Sequence, residues 1–355
     1  MRGGRYILYL IIVIGCNCVL PYYFYKVDEP ADAHYFVETE DGWKIALHNY
    51  KPSEIKYKYP VIVCHGLGSN RFSWDLGEKS IGKYLKKKGF DTWLIDLRGS
   101  GDSSKPSPFN RYRYDYNFDK YVFYDLKSAI NFVKEKTNSQ KVFWVGHSMG
   151  GMVIYAYMGM VEKESLKAVV TVGSPVDFVL PTLLYKIAHY TKDIVYGMKF
   201  FPVRPLAQML SPIGRVPLEQ ADILVWDSDN IEPSVRRRAM ANAVDNVSGE
   251  VMKEFVMWFI KEDFTTADGI HSYKYALKGV DVPTLFIVGA RDGLAPPQSV
   301  YEAYKLLGTN DKKFVIASKA NGFRADYAHT DLIMGRHVEE EIYPLIENWF
   351  KNHQQ

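Results

Sequence analysis

Ser148 lies inside Gly146-His147-Ser148-Met149-Gly150, a Gly-x-Ser-x-Gly pentapeptide. A serine hydroxyl becomes a useful nucleophile only when a base takes its proton and a carboxylate orients that base. The flanking residues provide a setting for this chemistry. Lys141-Val142-Phe143-Trp144-Val145 ahead of it is an apolar run that reads as a buried strand. Gly151-Met152-Val153-Ile154-Tyr155-Ala156-Tyr157-Met158 behind it contains no breaker and reads as a helix. A serine between strand and helix sits on a tight, strained turn with its oxygen raised above the sheet. The glycines two positions before and after Ser148 are expected because a Cβ there would meet neighbouring backbone.

In a nucleophile turn of this kind the partners follow in the order Ser, acid, His. Asp292 fits the acid, since Gly289-Ala290-Arg291 carries it just past the apolar run Thr284-Leu285-Phe286-Ile287-Val288. Asp263, Asp268 and Asp281 follow no strand end. His329, in Asp326-Tyr327-Ala328-His329-Thr330-Asp331, fits the base, lying between the last strand and the last helix. His337 and His353 fall beside or beyond that helix, and Asp331 is too close in sequence to orient the His329 ring against Ser148. Attack on a carbonyl creates an oxyanion that needs fixed N–H donors, each worth about 3–4 kcal/mol of transition-state stabilisation. Met149, after the nucleophile, is one expected donor. Leu67, in His65-Gly66-Leu67-Gly68 after the strand ending at Cys64, is the other. His65 and His147 read as packing residues.

These residues need a sheet to hold them. Pro60–Cys64, Thr92–Ile95, Ala168–Val172 and Thr284–Val288 are short continuous apolar runs, as in strands buried on both faces, and Phe314–Ile316 is a weaker one. Asp41-Gly42 between two alternating runs signals a hairpin. Helical patterns cover Leu76–Lys87, Tyr121–Lys136, Val300–Leu307 and Val338–Phe350. The alternation predicts an α/β fold with a mostly parallel sheet and helices on both faces. Residues 176–282 break the rhythm: apolar and aromatic, without a clear strand, they read as a helical cap over the C-terminal strand ends, where such sheets bind ligands. The expected division is a leading segment 1–26, core 35–175, cap 176–282 and core 283–355.

A hydrophobic share of 47% over 355 residues suffices for a sizeable core. A net charge of +3 and the absence of any long basic block argue against nucleic acid. Lys86-Lys87-Lys88 ends a predicted helix, where cations suit the dipole. The three cysteines make no disulfide framework. The histidines show no His-x-His or His-Glu-x-x-His spacing and no Gly-rich phosphate loop is present, so neither metal nor cofactor is expected.

The chain opens on Met1-Arg2-Gly3-Gly4-Arg5, followed by an apolar stretch to Tyr25. A signal peptide, an uncleaved membrane anchor and a lipoprotein leader all fit it. The last reading rests on Val13-Ile14-Gly15-Cys16, which resembles a bacterial lipobox and would make Cys16 the acylated residue. All three place the remainder across the membrane from the cytoplasm.

Taken together, His65-Gly66-Leu67-Gly68, Asp96-Leu97-Arg98-Gly99-Ser100-Gly101, the pentapeptide at Ser148, Gly289-Ala290-Arg291-Asp292 and His329 resemble the α/β-hydrolase superfamily. Within it the chain is most similar to the acid, gastric-type lipases, through Tyr124-Asp125-Leu126 and the loop Tyr327–Asp331. Those lipases carry Gln where Met149 stands. Polyhydroxyalkanoate synthases have a similar histidine loop but a cysteine nucleophile, against which Ser148 argues. The resemblance implies a serine esterase or lipase acting on an ester or lipid substrate, and the leading segment implies that it is attached to a membrane. An acyltransferase using the same triad and a non-catalytic lipid-binding protein remain alternatives.

Overall fold

The computed structural model describes residues 24–28, 31–178, 190, 192–214 and 226–355. Eight strands form the central sheet: β1 Ala33–Glu38, β2 Lys44–Tyr50, β3 Val61–Cys64, β4 Thr92–Asp96, β5 Val142–His147, β6 Leu166–Val172, β7 Thr284–Gly289 and β8 Lys312–Ala317. Their order is β1-β2-β4-β3-β5-β6-β7-β8. The β1/β2 hairpin and the β2/β4 pair are antiparallel. All pairs from β4 through β8 are parallel. This is the mixed, mostly parallel α/β sheet that the apolar runs predicted.

Burial on both faces explains those runs. Alternate residues feed two cores, because neighbouring side chains on a strand point to opposite faces. Ile62, Trp93, Ile95, Trp144 and Phe286 pack on one side with the helices α2 Lys127–Thr137, α3 Met149–Met160 and α7 Pro297–Leu306. Val61, Val63, Leu94, Phe143 and Ile287 pack on the other with α1 Ile81–Lys88 and α8 Tyr343–Asn352. Each large apolar side chain withdrawn from water this way contributes about 1.5–3 kcal/mol. Helix α3 is buried from Met149 to Met158, as expected for a helix that is apolar all round.

Three helical expectations change in detail. The first helix starts at Ile81 rather than Leu76, because Asp75–Leu76 and Lys79–Ser80 pair as a small antiparallel turn; the Ser80 side chain then caps α1 by accepting from the Lys83 N–H. Tyr121–Lys136 is not one regular helix: Tyr121–Leu126 is a π-helical stretch that leads into α2. That stretch carries buried Asp125, which accepts from the Arg98 N–H, Nε and Nη2. Val338–Phe350 divides into Val338–Glu341 and α8, with Pro344 in the first turn of α8 lacking the N–H that would continue the ladder.

Between β6 and β7 lies an inserted, mainly helical region with α4 Val203–Leu210, α5 Pro233–Asn242 and α6 Gly249–Lys261. It also holds a short strand pair that the sequence did not reveal, Phe200–Phe201 against Val247–Ser248. Two-residue strands carry too little periodicity to be read. No helix among the described residues is long and apolar enough to cross a membrane. Cys16 and most of segment 1–26 lie outside the described residues.

Candidate active site

Ser148 stands between the end of β5 and the start of α3. Its φ is +53° and its ψ −121°, a conformation that costs a non-glycine residue about 1–3 kcal/mol. Backbone bonds hold it there. The Ser148 N–H donates to Val172 O at 2.8 Å, and Ser148 O accepts from Gly151 and Met152. Only glycine fits at position 146, since a Cβ would come within 2.2 Å of Gly150 O. The strained turn expected from the pentapeptide is therefore present, with the glycine requirement the sequence implied.

Asp292 and His329 meet beside it. His329 Nδ1 lies 3.0 and 2.9 Å from the two Asp292 oxygens. A carboxylate only accepts, so Nδ1 carries the hydrogen and Nε2 of a neutral ring keeps its lone pair. Asp292 is itself fixed, Oδ1 accepting from the Leu294 and Ala295 N–H groups at 3.0 and 2.7 Å. Both residues are buried. The pair lies directly over the tip of β6: a Cβ on Gly173, next to the Val172 carbonyl that Ser148 uses, would sit 3.0 Å from Asp292 Oδ2 and 3.3 Å from His329 Nδ1. Ser148 follows β5, Asp292 follows β7 and His329 lies in the loop after β8, so all three stand past the C-terminal ends of parallel strands.

The loop after β3 passes close above the serine, and a Cβ on Gly66 would lie 3.1 Å from Ser148 Cβ. Leu67 follows it and is half-buried. Met149 opens α3, so its N–H has no intrahelical partner.

His65 and His147 support this frame. His65 Nε2 accepts the Leu97 N–H at 3.1 Å while its Nδ1–H donates to Gly66 O at 2.8 Å. Burial lowers its pKa, consistent with a neutral structural imidazole. His147 donates from Nε2 to the His329 carbonyl at 3.1 Å, and the two rings lie 4.6 Å apart between centroids. Burial, and then the neighbouring His329, push the His147 pKa well down. This grip on the histidine loop was not legible, because nothing in the pentapeptide shows where its second residue points. Asp331 shapes the same loop rather than the His329 ring. Its Oδ2 accepts from the Ala328 N–H at 3.0 Å and from Asn230 Nδ2 at 2.9 Å, tying the loop to the insertion. Burial raises the Asp331 carboxyl to about 6.

The chain's relatives agree with this architecture. Human lipase member M is 23% identical over 353 residues, covering 87% of this chain and 80% of that protein. Rat gastric triacylglycerol lipase is 32% identical over 190 residues, covering 47% of this chain and 46% of that protein. Among solved structures, a thermophilic esterase from Thermogutta terrifontis superposes with a TM-score of 0.58 at 16% identity, covering 91% of this chain and all (100%) of that one. An esterase from Exiguobacterium antarcticum gives a TM-score of 0.59 at 15% identity, with 91% and 100% coverage. These likenesses spread over lipases and esterases rather than selecting the gastric-type branch. The family model for the alpha/beta hydrolase fold matches residues 59–321, most of the chain and the sheet from β3 to β8, and the chain belongs to that family.

Proposed function

We propose that the chain is a serine hydrolase of carboxylic esters, with Ser148 as nucleophile, His329 as base and Asp292 as its orienter. The observation that carries the reading is the buried Asp292–His329 pair, its Nδ1–H committed to the carboxylate, beside a serine held at φ +53°. His329 Nε2 takes the Ser148 Oγ proton as Oγ bonds to the ester carbonyl carbon. The resulting oxyanion is met by the Leu67 and Met149 N–H groups. The tetrahedral intermediate collapses, the C–O bond to the alcohol breaks, and His329 returns the proton to the leaving alkoxide. Water then gives its proton to His329 and attacks the acyl-enzyme, and the acid leaves as Ser148 recovers its proton.

Lipid esters are the proposed substrate class. The insertion supports this: α4 turns Val203, Leu206 and Met209 outward, and Ile213 beyond it is exposed as well. Residues 176–282 are proposed to cap the acyl site. The leading segment 1–26 is proposed to tether the domain to a membrane outside the cytoplasm, by an anchor or through acylated Cys16.

Hydrolysis of p-nitrophenyl butyrate by the full-length chain tests the reaction. Turnover is expected for the wild type and background rates for Ser148→Ala, a loss of about 10^6-fold in kcat. Equal turnover by the two proteins would refute the assignment.

A further inference from the structure

Of the two N–H groups that meet the oxyanion in the proposed reaction, one is rigid by construction, since Met149 opens the buried helix α3. Leu67 lies on the loop after β3, and its N–H stays aimed at the reacting oxygen only if that loop is fixed. Upstream of Leu67, Gly66 O accepts from His65 Nδ1 at 2.8 Å. Downstream, the hold comes from the insertion. Gly68 O accepts the Asp245 N–H at 2.8 Å, Ser69 pairs with Val244 in an antiparallel bridge, and Ser69 Oγ donates to Ala243 O at 2.7 Å. The approach is close: Gly68 has φ +61°, and a Cβ there would lie 2.9 Å from Val247 Cγ2.

The Asp245 side chain extends this contact. It is buried, and a carboxylate accepts along about four lone-pair directions. Oδ2 accepts from Asn70 Nδ2 and from the Gly101 N–H, both at 2.7 Å. Oδ1 accepts from Arg204 Nη1 at 2.7 Å and from Lys105 Nζ at 3.1 Å. The donors come from the loop after β3, the loop after β4 and helix α4. Asn70 Nδ2 donates as well to the carbonyl of Asn242, the last residue of α5, at 2.8 Å.

Apolar packing alone could close the insertion onto the core. Withdrawing a carboxylate and its cations from water is costlier than that, so stability is a poor reason for the arrangement. What a fully satisfied buried network does supply is a fixed geometry.

We propose that Asp245 is a positioning residue for catalysis: from the insertion it fixes the loop that presents the Leu67 N–H to the oxyanion. The proposal rests on the reading of Ser148 as nucleophile and Leu67 as donor. The oxyanion develops only on the way to the tetrahedral intermediate, so a loosened donor lowers kcat and leaves ground-state binding alone. An amide at position 245 keeps the shape of the carboxylate but turns an NH2 toward donors, which releases the loop from part of its brace.

The test compares the full-length wild type with Asp245→Asn on p-nitrophenyl butyrate, with butylboronic acid as a tetrahedral inhibitor whose oxygen takes the oxyanion's place. kcat is expected to fall about 10–100-fold, short of the roughly 10^2–10^3-fold cost of losing a donor outright, with KM within about twofold. The inhibition constant of butylboronic acid is expected to rise by a comparable factor. The pH profile of kcat/KM is expected to keep its midpoint, because the Asp292–His329 pair is untouched; a general loosening of the site would move it. Circular dichroism and urea unfolding establish that the variant is folded. Asn70→Ser keeps an oxygen for the Phe72 N–H, which Asn70 Oδ1 accepts at 3.0 Å, and withdraws Nδ2 from Asp245. It is expected to show the same split at a smaller factor, and it decides the matter where Asp245→Asn does not fold. Unchanged kcat in the folded variants, or a fall in kcat without weaker binding of the boronic acid, would overturn the proposal. An inactive wild type would instead refute the reading at Ser148, and this inference with it.

Discussion

At the residue scale the account turns on which hydrogen each group holds. Asp292 commits both oxygens to His329 Nδ1 and Oδ1 to two backbone N–H groups. An amide at this position can present its NH2 to Nδ1 and favour the wrong ring tautomer. Asp292→Asn is therefore expected to lower kcat by about 10^4-fold with the fold intact, checked by ester turnover alongside circular dichroism. Ser148 and Asp292 could be singled out in the sequence because each follows an apolar run that burial on both sheet faces explains, and His329 because it lies between the weaker run of the half-exposed edge strand β8 and the last helix. The supports could not. His147 on the His329 carbonyl and Asn230 on Asp331 are contacts between segments far apart in sequence. No local spacing encodes them.

At the scale of elements, α6 shows how the insertion is fastened to the core. Buried Glu254 on α6 accepts the Phe118 N–H through Oε2, while its Oε1 has no partner. Burial raises its carboxyl to about 9. Because the folded-state value lies above the unfolded one, the folded chain holds this proton more tightly. Stability from this group is complete below about pH 4.5 and declines as pH rises toward 9. Glu254→Gln removes the titration and keeps an acceptor for Phe118. It is expected to be more stable than the wild type by about 1–3 kcal/mol at pH 8, with the gap closing toward pH 4, measured by urea unfolding. The sheet strands were readable because burial on both faces makes them continuously apolar. The helix read over Tyr121–Lys136 is present, but its π-helical opening was not readable because such a stretch preserves apolar content while shifting its period.

At the scale of the whole molecule, the exposed apolar side chains of α4 and the proposed membrane tether belong to one expectation. Leu206→Asp is expected to leave turnover of a short, dissolved ester within about twofold, since an exposed surface substitution perturbs the fold little. It is expected to reduce hydrolysis of ester lipid in vesicles severalfold, measured by released fatty acid. Equal rates on vesicles would detach α4 from lipid access while leaving the chemistry at Ser148 untouched. That chemistry is tested most directly by treating the full-length chain with a fluorophosphonate probe and mapping the adduct by peptide mass spectrometry. A covalent label on Ser148 is predicted, absent in Ser148→Ala and slower to form in Asp292→Asn. An unlabelled wild type, or undiminished labelling of Ser148→Ala, would contradict it.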